Sequence, residues 1–400
     1  MSKQIPAKNN DLHTEYLKLQ MGPSHPAMHG TVRIKLSLDG ETVVGADVEV
    51  GYLHRGMEKS CENQTWTQVI PYTDRLNYVS PLINNVGYAM AVEKLLDIDI
   101  PERNKYIRVL MSEIARIADH LTSVGAMAME IAAFTPFLWT MQAREEFYFL
   151  IEEVTGARVT SAYTRIGGLR GDLTDDFAKH YQTAEGKLLK LMDDIEALLT
   201  KNKIFYDRLI DVGTISKEHA VDLGFTGPVL RSTGVDYDVR KDHPYLIYDR
   251  LDFDVPVGVR GDNYDRYLVR MEEIRQSVRI IRQVLHDMPD GPIDIDDWNI
   301  VLPPKDAVYN SIEATIAHFM QIIHGIQVPA GEAYAFVEGG NGEVGFYVVS
   351  DGSGKPWRMH VRGPCFYLVQ GLEDMVRGQM VADIIPTFDS LNMIGGEIDR

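Results

Sequence analysis

Two histidines stand four residues apart in Gly22-Pro23-Ser24-His25-Pro26-Ala27-Met28-His29-Gly30, on backbone that Pro23, Pro26 and Gly30 keep out of a helix. Imidazole gives or takes a proton near neutral pH, so a rigid loop presenting His25 and His29 suits proton delivery to a bound ligand. Equally, the pair could do no more than hydrogen-bond its own turn. A second constellation, Gly51-Tyr52-Leu53-His54-Arg55-Gly56-Met57-Glu58-Lys59, crowds a histidine, two cations and a carboxylate together. Arg55 is its permanent positive charge. Either this is a solvated helix start in which Glu58 pairs Lys59 or Arg55, or the cation stands beside a redox group and raises its potential.

Tyr78 closes Pro71-Tyr72-Thr73-Asp74-Arg75-Leu76-Asn77-Tyr78 at the entry to an apolar helix, where a ring can pack while its hydroxyl reaches a ligand, although most such phenols are structural. Glu130 interrupts the apolar run Gly125 to Ala133. A carboxylate there needs a partner: a structural cation, or a functional group such as histidine.

Positioning these groups falls to elements that the hydrophobic period outlines. Thr31 to Leu38 alternates Val32, Ile34, Leu36 and Leu38 with polar residues, and Asp39-Gly40 turns it into a second strand, Thr42 to Val50. The histidine loop thus opens a hairpin. Ile107, Leu110, Met111, Ile114, Ile117, Ala118 and Leu121 recur at helical spacing after Pro101-Glu102, with Glu113, Arg116 and Asp119 on the other face. A second helix is expected from the cap Thr135-Pro136 to a stop at Gly156, a third from Thr174-Asp175-Asp176 to Thr200 with Leu188, Leu191, Ile195 and Leu198 on its stripe, and a fourth over 263–286. Four such stripes imply a bundle core. One more helix is expected over 308–324, then a short antiparallel meander through Tyr334, Phe346 and Val361, and a last helix over 367–384. The expected class is α+β, mainly α: an N-terminal β-hairpin region (1–80), a central helical bundle (81–300) and a C-terminal α+β region (301–400).

Composition narrows the chemistry. With 400 residues, 45% of them hydrophobic, the chain can bury a large core, and a formal charge of -18 speaks against nucleic acid as a partner. Cys61 and Cys365 have no C-x-x-C spacing, so the chain alone is expected to hold no metal and no iron-sulfur cluster. Met1 to Tyr16 shows no signal-peptide pattern, and the apolar stretch Leu121 to Met141 is broken by Glu130 and Pro136, so a cytoplasmic protein without a span is expected. Phosphate-loop, dinucleotide, zinc-protease and hydrolase motifs are missing.

In order along the chain, GPSHPAMHG, GYLHRGMEK, YTDRLNY, RVLMSEIARIADHL, YTRIGGLRGDL, GPVLRSTGVDYDVRKDHPY, VVSDGSGKPWRMHVRGP and GGEIDR resemble the 49 kDa (D-type) subunits of respiratory NADH-quinone oxidoreductase, complex I, over nearly the whole length. That family is similar in fold to the large subunit of nickel-iron hydrogenases, whose two C-x-x-C pairs have no counterpart around Arg55 or in Asp389 to Arg400. The resemblance implies that the vacated metal cavity takes the quinone head group, the substrate, between this chain and a partner bearing the terminal iron-sulfur cluster. It implies His29 and Tyr78 as the hydrogen-bond donors at the two ends of the quinone, and Arg55, with His54 beside it, near the cluster. Thr122 to Met129, including Thr122 and Ala126, would line the pocket, and Glu130, with His25, would belong to its proton network. Partners implied are other components of the same complex: the cluster-bearing small B-type component, the C-type component, the ferredoxin-like I-type component and the membrane-embedded H-type component. The chain itself would be peripheral, on the cytoplasmic side of the inner (plasma) membrane.

Two positions depart from the family pattern. Glu130 replaces the usual aspartate, and Thr160, in Ala157-Arg158-Val159-Thr160-Ser161-Ala162-Tyr163, replaces a histidine near the cluster. Threonine does not titrate there, so a cluster potential less dependent on pH is expected. A hydrogenase-type large subunit is disfavoured by the absent cysteine pairs, and a pure scaffold by the joint presence of His29, Tyr78 and an acid.

Overall fold

The computed structural model describes residues 16–400, so the reading of the first fifteen residues lies outside the described residues. The expected hairpin is there, as Arg33–Asp39 paired antiparallel with Thr42–Glu49, but Leu17–Met21 adds a third strand on its other edge. The histidine loop is therefore the connection between the first two strands rather than a lead-in. Ile34, Leu36 and Leu38 are buried, as the alternation requires.

The central helix runs Glu102–Glu130, entered through Pro101. Its apolar stripe is buried as expected, but the opposite face is not solvated: Glu113, Arg116 and Asp119 are each 0% exposed. The period assigns residues to faces, and here elements pack on both. Phe134–Thr155 follows, starting before Thr135 with no side-chain cap and ending on Gly156 at φ 74°. The third helix, Phe177–Leu199, buries Leu188 and Ile195 as expected, but Met192 and Leu199 take the inward places expected of Leu191, which is half-buried, and Leu198, which is exposed. Asn263–Asp287 is capped by the Asp262 carboxylate, which accepts the Asp265 N–H at 2.8 Å. A further helix, Pro81–Leu96, buries 12 of its 16 residues and packs on the second sheet.

That second sheet is the expected meander, Gly331–Glu338, Glu343–Ser350 and Arg358–Arg362. Two of the expected helices are each broken into two. Ser311 separates Lys305–Asn310 from Ile312–His324 and caps the latter, and Gly378, at φ 81°, lies between Pro364–Val376 and Val381–Ser390. One apolar cluster joins the bundle to the second sheet; another joins the first sheet to the helices after residue 364. Among the described residues no helix is long and apolar enough to cross a membrane.

Candidate functional site

Pro26–Met28 forms one 3-10 turn, anchored by buried Ala27 and Met28. His25 caps it: its Nδ1 accepts the Ala27 N–H at 3.2 Å, so this imidazole serves the turn. Gly22 makes the close approach possible, because a Cβ there would lie 2.1 Å from the Val32 carbonyl oxygen and its φ is 84°. His29 follows in the left-handed region at φ 54°, exposed, and among the described residues no hydrogen bond engages its ring.

The Gly51–Lys59 loop is tied down by residues 395–400. The Asp399 carboxylate accepts the Gly51 and Leu53 N–H groups at 2.8 and 2.9 Å. Arg55 Nη2 donates to the carbonyls of Arg75 at 3.0 Å and Gly396 at 3.3 Å. Glu58 pairs neither Lys59 nor Arg55: it accepts the Val361 N–H at 2.9 Å and meets His360 at 3.0 Å and Arg400 at 3.2 Å, while Lys59 bonds Glu62. His54 is exposed. The stretches around Arg55 and in 389–400, both lacking cysteine pairs, are thus in contact.

Tyr78 lies three residues before the helix Pro81–Leu96, with 43% of its surface open. Partial burial first, then the neighbouring Cys365 and Asp119, push its phenol above its ordinary value, opposed by Arg55. Tyr78, Arg55, Asp119 and Cys365 therefore share one electrostatic neighbourhood. Asp119 is fully enclosed and accepts from Asn77 at 2.8 Å, Ser80 at 2.6 Å and Asn392 at 2.8 Å. Asn392 also donates to Asn341 at 2.6 Å, and the Asn341 amide reaches Cys365 Sγ at 3.1 Å.

Glu130 is the last residue of the central helix and only half-buried, so it does not sit inside an apolar interior. Its neighbour is a second carboxyl: burial first and then Glu130 push Asp389 well above the usual carboxylate range. Among the described residues no hydrogen bond joins Glu130 to His25 or His29. Thr122 bonds back to the Ala118 carbonyl at 2.8 Å and accepts from Arg144 at 3.3 Å, and half-buried Ala126 follows one turn later. A cleft of about 1120 Å³ lined by Trp298, Ile316 and Met320 contains none of these residues.

Sequence reasoning missed Asp119, Asn341, Asn392, Cys365 and Glu397 as members of this neighbourhood. Only Asp119 left a signal, its place in the Glu113-Arg116-Asp119 row. Behind it that row builds an ion network: Glu113 accepts from Tyr248 and Ser277 at 2.6 Å and from Arg240 at 3.2 Å, and Arg231 bridges Glu273 at 2.9 Å and Glu338 at 2.8 Å. Glu273 also meets His120 at 2.7 Å.

The family model described as respiratory-chain NADH dehydrogenase, 49 Kd subunit, matches residues 130–400. The chain belongs to that family. A relative from Sorangium cellulosum, named as the first of its NADH-quinone oxidoreductase D-type subunits, is 58% identical over all of this chain and 99% of its own length. A D-type relative of the same enzyme name from Myxococcus xanthus is 54% identical over 97% of this chain and 94% of its own. A Bdellovibrio bacteriovorus protein, named as the combined C/D component of NADH-quinone oxidoreductase, is 49% identical over 97% of this chain and 70% of its own length. As a 49 kDa family member the chain is a core subunit of the NADH-quinone oxidoreductase, complex I, and a component of an oxidoreductase; the hydrogenase alternative is not favoured.

Proposed function

We propose that Tyr78, Arg55 and His29 together form this chain's share of the site at which quinone is reduced. The observation that carries this is the setting of Tyr78: a phenol held protonated, beside Arg55, at an edge that the chain leaves 43% open. Quinone takes two electrons and two protons to become quinol, and the electrons place negative charge on the carbonyl oxygens. Tyr78 donates to one such oxygen and His29, whose ring is unengaged, to the other. An iron-sulfur cluster on the partner subunit supplies the electrons when the complex is assembled. Arg55, fastened to residues 75 and 396, holds a fixed positive charge toward that partner.

The open edge supports a partner that closes the site, in this reading the small B-type component, with the I-type and H-type components adjoining. The combined C/D relative supports a C-type neighbour. A peripheral place on the cytoplasmic side of the plasma membrane fits described helices that do not span, and a fold related to the hydrogenase large subunit fits the contact between the Arg55 loop and residues 395–400. The test is Tyr78→Phe in the assembled complex, measuring NADH-to-decylubiquinone turnover with cluster reduction by NADH as control. Turnover should fall by about a hundredfold or more, the scale of one lost general acid, while the clusters still reduce. Full turnover would make Tyr78 a packing residue and remove the site from these residues.

A further inference from the structure

Two carboxyl groups are enclosed together beneath Tyr78, and their hydrogen-bond partners differ in kind. Asp119, 0% exposed, accepts three short bonds from two amides and a hydroxyl. Glu397, 1% exposed on the turn Gly395–Ile398, has far weaker support. Its Oε2 faces the Cys365 thiol at 3.1 Å and the Asn341 amide at 3.5 Å, and its Oε1 has no partner. Among the described residues no cation hydrogen-bonds it. Two carboxylates in one dry pocket do not both ionise readily; the better-bonded one keeps the charge and the other keeps the proton. Asp119 is the first and Glu397 the second.

Other elements facing Glu397 do not alter this assignment. Arg270, from Asn263–Asp287, points its charge at Glu273, Asp119 and Cys365, with Nε and Nη2 unpartnered. Arg55 touches the Gly396 carbonyl beside Glu397, and Asp399 and Arg400 are engaged with Gly51 and Glu58. Tyr78 has Cys365 and Asp119 as neighbours, and Glu397 is bonded to that same Cys365, so the two carboxyls and the phenol are linked through one thiol.

We propose that Glu397 sets the charge of the quinone site: neutral, it leaves one negative charge on the Asp119–Glu397 pair, faced by buried Arg270, and ionised, it adds a second negative charge that opposes the arrival of electrons on the quinone. This rests on the quinone-site reading above. Glu397 is a positioning residue and supplies none of the two protons or two electrons of the reaction. Burial raises its carboxyl to about 7, with Cys365 and Asn341 pulling down and Asp119 pushing up, so the switch lies in the working range of the site.

The test is the ratio of NADH-to-decylubiquinone turnover at pH 8.5 to that at pH 6 in the assembled complex. In the parent complex the ratio should be low if Glu397 ionises in between. Glu397→Gln cannot ionise, and its ratio should be higher by about fivefold to tenfold, equivalent to roughly 1 kcal/mol of repulsion between one buried carboxylate and the charge arriving on the quinone. Glu397→Asp should restore the fall. Cys365→Ser offers the carboxylate a stronger donor, favours ionisation and should move the fall to lower pH by about half a unit or more. A fall unchanged in both Glu397→Gln and Cys365→Ser overturns the proposal. Should the glutamine variant not assemble, Cys365→Ser decides alone by shifting or not shifting. Tyr78→Phe separates the two readings. If it abolishes turnover while Glu397→Gln keeps the fall, only the role of Glu397 is lost; if it leaves turnover intact, the site itself is lost, and this proposal with it.

Discussion

Asp399 and Gly51, 348 positions apart, are joined through both oxygens of the carboxylate, at 2.8 and 2.9 Å from one backbone N–H. The same side chain takes the Leu53 N–H at 2.9 Å, so a single aspartate fixes the loop that carries Arg55. Asp399→Ala leaves both N–H groups without this acceptor, a loss of about 1–3 kcal/mol for the local fold. Exchange of the Gly51 and Leu53 amides in the assembled complex should quicken by about tenfold or more, and quinone turnover should drop while NADH still reduces the clusters. Unchanged exchange would mean that Arg55 holds the loop through its own bonds.

Gly125 sits where the central helix meets Phe134–Thr155, and a Cβ there would lie 2.2 Å from Thr140 Oγ1 and 3.2 Å from Met141 Cε. Alanine would gain about 1 kcal/mol in helix propensity. Overpacking against the fully buried Thr140 costs about 1–3 kcal/mol, so Gly125→Ala should lower the thermal-inactivation temperature of the complex and, by parting two helices beside Thr122 and Ala126, its turnover. Adding Thr140→Ala removes the obstructing hydroxyl and should recover most of the loss. A single variant as stable as the parent would show that Thr140 turns aside freely.

The ion network makes the interior sensitive to acid. Burial works against ionised Glu113, yet Arg116, Arg240, Ser277 and Tyr248 hold its carboxyl down to about 2, and Asp238 is likewise held to about 2 against burial by Arg240 and Arg231. Groups lowered on folding stabilise fully above their unfolded values, near 4, and that stabilisation fades as pH falls toward 2. For Glu113 it amounts to about 3 kcal/mol. Exchange protection of the central helix, corrected for intrinsic rates, should weaken between pH 5 and pH 3, and Glu113→Gln should flatten that dependence at the expense of protection at pH 7. Glu397 has the opposite sign: raised on folding, it contributes most below its unfolded value, near 4.5, and loses that contribution as pH rises through about 7. Protection that stays level down to pH 3 would contradict the pairing.

The sequence showed plainly what period can show. The central helix, the three amphipathic helices around it, the first hairpin and the meander all fall where apolar spacing puts them. Breaks were less visible: Ser311 and Gly378 interrupt stretches whose apolar residues continue at helical spacing, and Met192 and Leu199 displace Leu191 and Leu198 because adjacent apolar residues leave the stripe undetermined. The buried polar face of Glu113, Arg116 and Asp119 was illegible for a different reason. A charged face reads as solvated unless the partners are known, and Arg231, Arg240, Glu273 and Glu338 come from remote segments. His29, Arg55 and Tyr78 could be singled out as candidates from residue type and setting alone. That Tyr78 stands over Cys365 and Asp119, with Glu397 beneath, depends on contacts between residues hundreds of positions apart, which no local pattern encodes.

The same network constrains how this chain can change over generations. Arg231 answers to Glu273 and Glu338, Arg240 to Asp238 and Glu113, and none of them has solvent to fall back on. Replacing any one alone strands a charge, at about 3–5 kcal/mol, a large part of the stability of an ordinary domain. Viable variants must therefore alter several members together or none, so the interior is expected to change as a block. Hybrids that splice two relatives between residues 113 and 338 should fail more often than their overall identity suggests, and repairing the mismatched ion partners should rescue them.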